Sequence, residues 1–195
     1  MQKLKQYLLD WRFILVIYCL ITIGASVQSY LQGAKDFGDG IINTHYNNYV
    51  IFKQSYFHLI NHLDLYSLYP NEHWDYYKYS PSFSLFMGSL AYFPDVIGLI
   101  LWNLLNALVL FIAFRQLPNV SDRNKTFMLW FVLLELLTAI QSEQSNGLMA
   151  GLIILAFVKM EKRQVFWATL FLMLTVFIKL FGLVAFALFL LYPEK

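Results

Sequence analysis

Long apolar runs constrain this chain more than any other feature of its sequence. The first extends from Phe13 to about Tyr30, and roughly 18 residues at about 1.5 Å each approach the thickness of a bilayer's hydrocarbon core. Further runs cover residues 96–114, 127–140, 147–158 and 165–192. Only 13% of the residues are charged, about half the fraction typical of soluble domains. The sequence therefore predicts an all-α, polytopic membrane protein with a single membrane domain over residues 1–195.

Clusters of Lys and Arg indicate how the runs are oriented. The clusters are Lys3, Lys5 and Arg12, then Arg115, Arg123 and Lys125, and finally Lys159, Lys162 and Arg163. Cytoplasmic loops carry an excess of these residues. All three clusters lie in the cytoplasm if the short apolar segment 82–93 does not cross the membrane, whereas two would face outward if it did. We therefore expect a cytoplasmic N-terminus that is retained as an anchor, and an outer loop over residues 31–94.

The last apolar run, residues 165–192, contains a charged residue near its middle. A single helix of this length would leave Lys179 deep in lipid, where an ionised side chain is costly. Two short helices that meet near Lys179 on the outer side would place the charge beside the outer loop. We therefore predict a helical hairpin whose turn is at Lys179.

The outer loop concentrates the polar chemistry of the chain. It contains all four histidines, His45, His58, His62 and His73. Within it, residues 47–63 have apolar side chains at helical spacing, and Asn48, Ser55 and His62 fall on the opposite side. This pattern predicts an amphipathic helix in the membrane interface, with its polar side open to water. The segment 82–93 is the second predicted interfacial helix. Because Cys19 is the only cysteine, an intrachain disulfide is excluded.

A series of motifs follows this helix along the chain. They are Asp64-Leu65-Tyr66, Tyr77-Lys78-Tyr79-Ser80-Pro81-Ser82-Phe83, Leu90-Ala91-Tyr92-Phe93-Pro94, Leu101-Trp102-Asn103-Leu104-Leu105-Asn106, Gln144-Ser145-Asn146-Gly147-Leu148 and Ile178-Lys179-Leu180. In this order they resemble the polyprenyl-phosphate-mannose-dependent mannosyltransferases of glycosyltransferase family 87. The last two motifs are similar to that family's Gly-Gln-x-Asn turn and Ile-Lys element.

The resemblance implies a C-type glycosyltransferase fold in a bacterial inner (plasma) membrane, with catalysis on the outer face. It implies that a hexose, expected to be mannose, moves from a polyprenyl-phosphate donor to a lipid or glycan acceptor with inversion at the anomeric carbon. It implies no metal ion, no other cofactor and no nucleic-acid partner. Members of the family are usually much longer, so we expect either a split or truncated chain or a partner that supplies the remaining helices.

The resemblance also directs attention to the position of the catalytic base. The family's presumed catalytic aspartate corresponds to Asn48, and an amide cannot accept a proton from an acceptor hydroxyl at neutral pH. Either the base is a neighbour such as Asp39, His45 or Asp64, or the protein is a non-catalytic membrane protein that binds lipid or glycan through its outer loop. Glu143 is a second departure, because the family's turn usually has glycine there.

Five residues are predicted to bind the substrate. Lys78 and Tyr79 belong to the outer loop, and Gln144 and Asn146 belong to the turn after the third predicted span. Lys179 is predicted to hold the donor's phosphate, because a buried cation needs an anion and its charge stabilises the leaving group.

Other polar residues have structural explanations beside functional ones. His58 and His62 are spaced as a helical pair that can bind a metal, but without a third clear ligand we favour the solvated face of a helix. Asn103 and Asn106 are interpreted as contacts between packed helices. For Glu135 we favour a structural pairing. A transporter is a weaker alternative, since only Glu135 and Lys179 hint at paired charges at the midplane.

Overall fold

The computed structural model describes residues 7–38 and 40–191, and most of them are helical. The helices are α1 (Trp11–Leu31), α2 (Asn47–Ile60), α3 (Pro81–Ala91), α4 (Asp95–Gln116), α5 (Asp122–Gln141), α6 (Asn146–Glu161), α7 (Val165–Ile178) and α8 (Leu188–Leu191), with a 3-10 helix at Leu180–Ala187. Each predicted apolar run up to residue 158 lies within one helix or is matched by one to within a residue or two. Lys3, Lys5 and Lys195 lie outside the described residues.

A short β-hairpin interrupts the helices at the start of the outer loop. Strands β1 (Ala34–Asp36) and β2 (Ile42–Thr44) pair antiparallel. The prediction of an all-α chain is therefore wrong at this point. The reversal depends on local turn chemistry, because Asp36 Oδ1 accepts a hydrogen bond from the Gly38 N–H at 2.8 Å, and Gly38 has a φ of 105°.

Helix α4 is the central helix and contacts α1, α5 and α6. Asn103 Nδ2 donates a hydrogen bond to Ser26 Oγ of α1 at 2.9 Å. Asn106 Oδ1 accepts one from the Leu148 N–H of α6 at 2.9 Å. Both asparagines are buried, so they connect packed helices, and this part of the sequence interpretation is confirmed.

An aromatic cluster attaches the outer loop to α4. The rings of Phe52 in α2, Phe83 in α3 and Trp102 in α4 have centroids 5.2–5.6 Å apart, and Tyr79 packs 4.8 Å from Phe52. Helix α2 is therefore enclosed on more sides than an interfacial helix, and the prediction that Ser55 faces water is wrong. Its hydroxyl is buried and donates to the Phe52 carbonyl, which satisfies the hydroxyl without solvent.

Two helices, α1 and α4, are long and apolar enough to cross a membrane. Large apolar side chains such as Leu20, Phe131 and Leu134 are exposed on the surface of α1 and α5. A soluble protein rarely exposes so many large apolar groups, whereas lipid accepts them. These features suggest a membrane protein.

The described residues of the positive clusters and the motifs of the outer loop lie at opposite ends of the helices. At one end, the Arg115 guanidinium lies 5.3 Å from the centroid of the Trp11 ring and forms an ion pair with Asp122 at 3.1 Å. At the other end, Asn48 Nδ2 donates to the Ser142 carbonyl at 2.7 Å. This separation is the arrangement that the charge pattern predicts for a membrane-crossing chain.

The chain reverses direction at Lys179. Helix α7 ends at Ile178, and Lys179 has extended backbone angles (φ −135°, ψ 135°) before the 3-10 helix begins. The backbone of Gly182 then lies against Thr175, so closely that a side chain on Gly182 would collide with it. The break therefore falls at the residue where the hairpin turn is predicted, although the returning segment is mainly 3-10 rather than α-helical.

Candidate active site

A cavity of about 690 Å³ opens where the outer loop meets the α5–α6 turn and the end of α7. Its polar lining residues are Asn48, Asp75, Lys78, Ser80, Gln144 and Lys179, and its aromatic lining residues include Tyr66, Tyr76 and Tyr79. The cavity thus gathers residues that are far apart in sequence, and its size is typical of a small-molecule site.

The α5–α6 turn packs against the first turn of α2. The Asn48 side chain donates to the Ser142 carbonyl at 2.7 Å, and Trp102 Nε1 donates to the Glu143 carbonyl at 2.9 Å. The Glu143 carboxyl accepts a hydrogen bond from the backbone N–H of Asn48. These contacts fix the turn that carries Gln144 relative to the helix that carries Asn48.

Glu143 is an unusual residue at this junction because it is only 2% exposed and its Oε1 has no hydrogen-bond partner within residues 7–38 and 40–191. Burial raises the pKa of Glu143 to about 8, although the Asn48 N–H and the charge of Lys35 both act to lower it. The carboxyl is therefore mostly protonated at neutral pH. The sequence indicated only that Glu143 departs from the expected glycine, and its burial depends on the tertiary packing.

Lys179 lies at the inner wall of the cavity. Its Nζ donates to Gln144 Oε1 at 3.2 Å and lies 4.7 Å from the centroid of the Tyr79 ring, in a cation–π contact. The Tyr79 hydroxyl also donates to Gln144 Oε1, at 3.4 Å. Among the described residues, the structure places no carboxylate in an ion pair with Lys179, so its positive charge is available for an anionic ligand.

The outer loop supplies further lining residues of the cavity. Asp75 and Lys78 form an ion pair at 2.5 Å, and both side chains are well exposed. The loop is fixed by a reciprocal pair of hydrogen bonds, since Asn47 Nδ2 donates to the Trp74 carbonyl and the Trp74 N–H donates to Asn47 Oδ1. Asp75, which sequence reasoning did not single out, is the carboxylate that lines the cavity. Only its position in the folded loop distinguishes it from the other acidic residues.

The base of the cavity is held by the start of α3. Ser80 is the N-cap of this helix, and its Oγ accepts a hydrogen bond from the Phe83 N–H at 3.2 Å. The same hydroxyl donates to the Phe177 carbonyl near the end of α7. The Ser80-Pro81 motif therefore connects the outer loop to the segment that carries Lys179.

Four predicted site residues lie elsewhere or cannot be placed. Asp64 is exposed, and its carboxylate accepts hydrogen bonds from the Tyr66 N–H and the Ser67 hydroxyl, which lower its pKa. His45 is half-buried beside the β-hairpin and is not among the lining residues. Asn146 borders a separate groove that also contains Glu135. Asp39 lies outside the described residues.

The histidine pair predicted on α2 is not formed. Helix α2 ends at Ile60, and His62 is exposed with a φ of 56°, so His62 no longer shares a helical face with His58. His58 is 4% exposed, and the interpretation of this residue as part of a solvated face is wrong. Its ring instead packs on Tyr69, with 3.9 Å between the centroids, where the loop covers it.

Comparison with protein families gives a match. The family model described as glycosyltransferase family 87 matches residues 77–193, which is more than half of the chain. The matched region contains the last part of the outer loop, from residue 77, together with the α5–α6 turn and Lys179. No curated protein and no solved structure matches.

Proposed function

Because the chain belongs to glycosyltransferase family 87, we propose that it transfers a hexose, mannose, from a polyprenyl-phosphate donor to a lipid or glycan acceptor. The reaction takes place in the cavity between the outer loop and the α5–α6 turn. In this proposal the helices form a C-type glycosyltransferase bundle that crosses a bacterial inner membrane several times, with a cytoplasmic N-terminus. The opposite placement of the positive clusters and the cavity supports this orientation.

The observation that carries the proposal is a cavity that contains both a carboxylate and a cation that forms no ion pair with any described carboxylate. Lys179 and Asp75 both line it, and the structure attaches them to different elements. Displacement of a phosphate from the anomeric carbon is helped by both groups. A cation stabilises the negative charge that the leaving phosphate accumulates, and a carboxylate accepts the proton that the acceptor hydroxyl loses.

Lys179 receives the donor's phosphate. As the glycosidic C–O bond breaks, its electron pair passes to the phosphate oxygen, and the cation stabilises this charge more in the transition state than in the ground state. Gln144 accepts a hydrogen bond from the Lys179 ammonium and so holds it at the cavity wall. Leu180 and Phe181 also line the cavity and are largely exposed, which offers an apolar entry for the polyprenyl chain.

Asp75 accepts the proton of the acceptor hydroxyl. The acceptor oxygen then forms the new bond to the anomeric carbon on the face opposite the departing phosphate, so the configuration is inverted. Asn48 also lines the cavity, and its amide is positioned by Ser142 to hydrogen-bond a sugar hydroxyl. The aromatic rings of Tyr66 and Tyr76 provide apolar faces for a hexose ring.

Transfer assays on purified protein can separate these roles. With a polyprenyl-phosphate mannose donor, Asp75→Asn should lower the rate of transfer by about 100-fold or more with little change in donor binding, because a general base acts mainly in the chemical step. Asp64→Asn is the matched control, since Asp64 lies outside the lining of the cavity. Equal rates for Asp75→Asn and the unmodified protein would exclude Asp75 as the base.

Donor binding tests the other half of the site. Lys179→Gln should weaken binding of the lipid-phosphate sugar by roughly 10-fold or more, and Lys179→Arg should recover part of the loss, because a charge-assisted hydrogen bond contributes about 1.5–3 kcal/mol. Lys53→Gln is the matched control, because Lys53 is a partly buried cation that pairs with Asp95 and lies outside the lining of the cavity. Donor binding that is unchanged in Lys179→Gln would refute the assignment. Binding without transfer in the unmodified protein would favour the non-catalytic alternative.

A further inference from the structure

Three potential metal ligands lie together outside the lining of the cavity. His58 comes from α2, and Glu72 and His73 come from the loop that covers it. Their ligand atoms all lie within 4.8 Å of one another, and His58 Nε2 is 2.9 Å from Glu72 Oε2. Both imidazoles are almost completely buried, whereas the carboxylate is partly exposed. Two buried histidines beside one carboxylate are the donor set of many zinc sites.

We propose that His58, Glu72 and His73 bind a divalent transition-metal ion of the zinc type. Imidazole and carboxylate donors suit Zn²⁺, and three protein ligands leave a fourth position, which solvent can reach on the partly exposed side of Glu72. The site is separate from the residues proposed to carry out transfer, and its existence does not depend on that reaction.

The distances are compatible with binding after a small contraction. Zinc lies about 2.0–2.2 Å from nitrogen and oxygen ligands, so tetrahedral ligand atoms are about 3.4 Å apart. The His58–Glu72 pair is already closer than this at 2.9 Å. The largest separation in the cluster, up to 4.8 Å, must close by about 1 Å or slightly more. Such a movement is within the range of side-chain torsions in a loop.

The surroundings already orient both imidazoles. His73 Nδ1 lies 3.1 Å from the Asp75 carbonyl, so this nitrogen donates its proton and the lone pair is left on Nε2. A backbone carbonyl on the second nitrogen is a usual partner of a metal-binding histidine. The His58 ring is held by stacking on Tyr69. The rings are therefore restrained before any ion binds, which lowers the entropy lost on binding.

The ion would hold the loop in its position over the cavity. Asp75 and Tyr76 follow His73 by two and three residues, and both line the cavity. A metal that connects His73 to His58 of α2 therefore restrains Asp75 and Tyr76 relative to Asn48, which is also on α2. Its role is structural, because the three ligands themselves are not among the lining residues.

Zinc binding by the full chain tests the proposal directly. The protein should be purified with a tag that contains no histidine, stripped with a chelator and titrated with Zn²⁺. One ion should bind per chain and raise the melting temperature. Co²⁺ should bind at the same site and give the visible absorption of a four- or five-coordinate ion. A folded protein that takes up no zinc would overturn the proposal.

Variants assign the ligands. Glu72→Gln and His73→Gln should each weaken zinc binding by about 100-fold or more. Even the loss of a group that only hydrogen-bonds to a metal ligand costs about 10–100-fold in affinity, and the loss of a ligand itself should cost more. His62→Gln is the matched control, since it lies just beyond α2 and is exposed. If His58→Gln does not fold, Glu72→Gln still decides the question because this side chain is partly exposed. Zinc binding that survives Glu72→Gln and His73→Gln, or is lost in His62→Gln, refutes the site.

Discussion

Glu143 should make the stability of this protein depend on pH in a direction opposite to that of most carboxylates. Burial raises the pKa of Glu143 from the ordinary 4.5 to about 8 in the folded state. Between these two values the folded chain holds a proton that the unfolded chain has released, so the free energy of unfolding falls as the pH rises. At about 1.4 kcal/mol per pKa unit, the full loss approaches 5 kcal/mol.

Glu143→Gln should remove this dependence. The amide has nearly the same shape as the protonated acid and can still accept the hydrogen bond from the Asn48 N–H. Because about 1 kcal/mol shifts the melting temperature of a chain of this size by roughly 2–4 °C, the variant should melt as much as roughly 10–20 °C above the unmodified protein near pH 8.5. Near pH 4.5 the two should differ little. The measurement is thermal unfolding in detergent micelles, followed by tryptophan fluorescence across this pH range.

Asp36→Asn is the control for this experiment. Asp36 is exposed, and an asparagine retains the side-chain oxygen that accepts the Gly38 N–H. The melting temperature of Asp36→Asn should change with pH in the same way as that of the unmodified protein. If Glu143→Gln and the unmodified protein lose stability equally between pH 4.5 and 8.5, the carboxyl is not buried as described and the reasoning fails.

Two further predictions concern packing and topology. Gly151→Ala should destabilise the protein by about 1–3 kcal/mol in denaturant unfolding, because a Cβ there would lie 2.9 Å from backbone atoms of α4. Gly24→Ala is the control and should be neutral or stabilising, because a Cβ there would have no described neighbouring atom within 4 Å. In a Cys19→Ser background, an impermeant thiol reagent added outside intact cells should label Tyr76→Cys and leave Arg123→Cys unlabelled. Labelling at residue 123 from outside would reverse the proposed orientation.

Local sequence signals were sufficient for most of the helices and for the break at Lys179. Ser80 followed by Pro81 is a capping pattern that depends only on neighbouring residues, and α3 begins there. A charge in the middle of an apolar run is equally visible in the sequence, and α7 ends one residue before it. The small hairpin after α1 was missed because three-residue strands leave no periodic pattern in an otherwise apolar chain.

Only some of the residues that line the cavity could be predicted from the sequence. Gln144 and Lys179 were both predicted to bind the substrate, and their side chains are hydrogen-bonded in the structure. Asp75 and the cluster around His58 could not be identified, because the loop between them has no regular structure from which distances can be inferred. Their positions depend on tertiary contacts such as the pairing of Asn47 with Trp74.

Asn48 and Glu143, which stand where the resemblance leads us to expect an aspartate and a glycine, meet in one contact surface. The Asn48 amide donates to the Ser142 carbonyl, which an aspartate could not do, and the Asn48 N–H meets the Glu143 carboxyl. A carboxylate at position 48 would therefore face a carbonyl oxygen without a proton to share and would lie close to a second acid. With an aspartate at position 48, a glycine at position 143 would remove the second acid, but the Ser142 carbonyl would still lack a hydrogen-bond donor. The amide at position 48 and the acid at position 143 thus fit each other. This fit is consistent with our proposal that the proton acceptor of the reaction comes from the outer loop, where Asp75 lines the cavity.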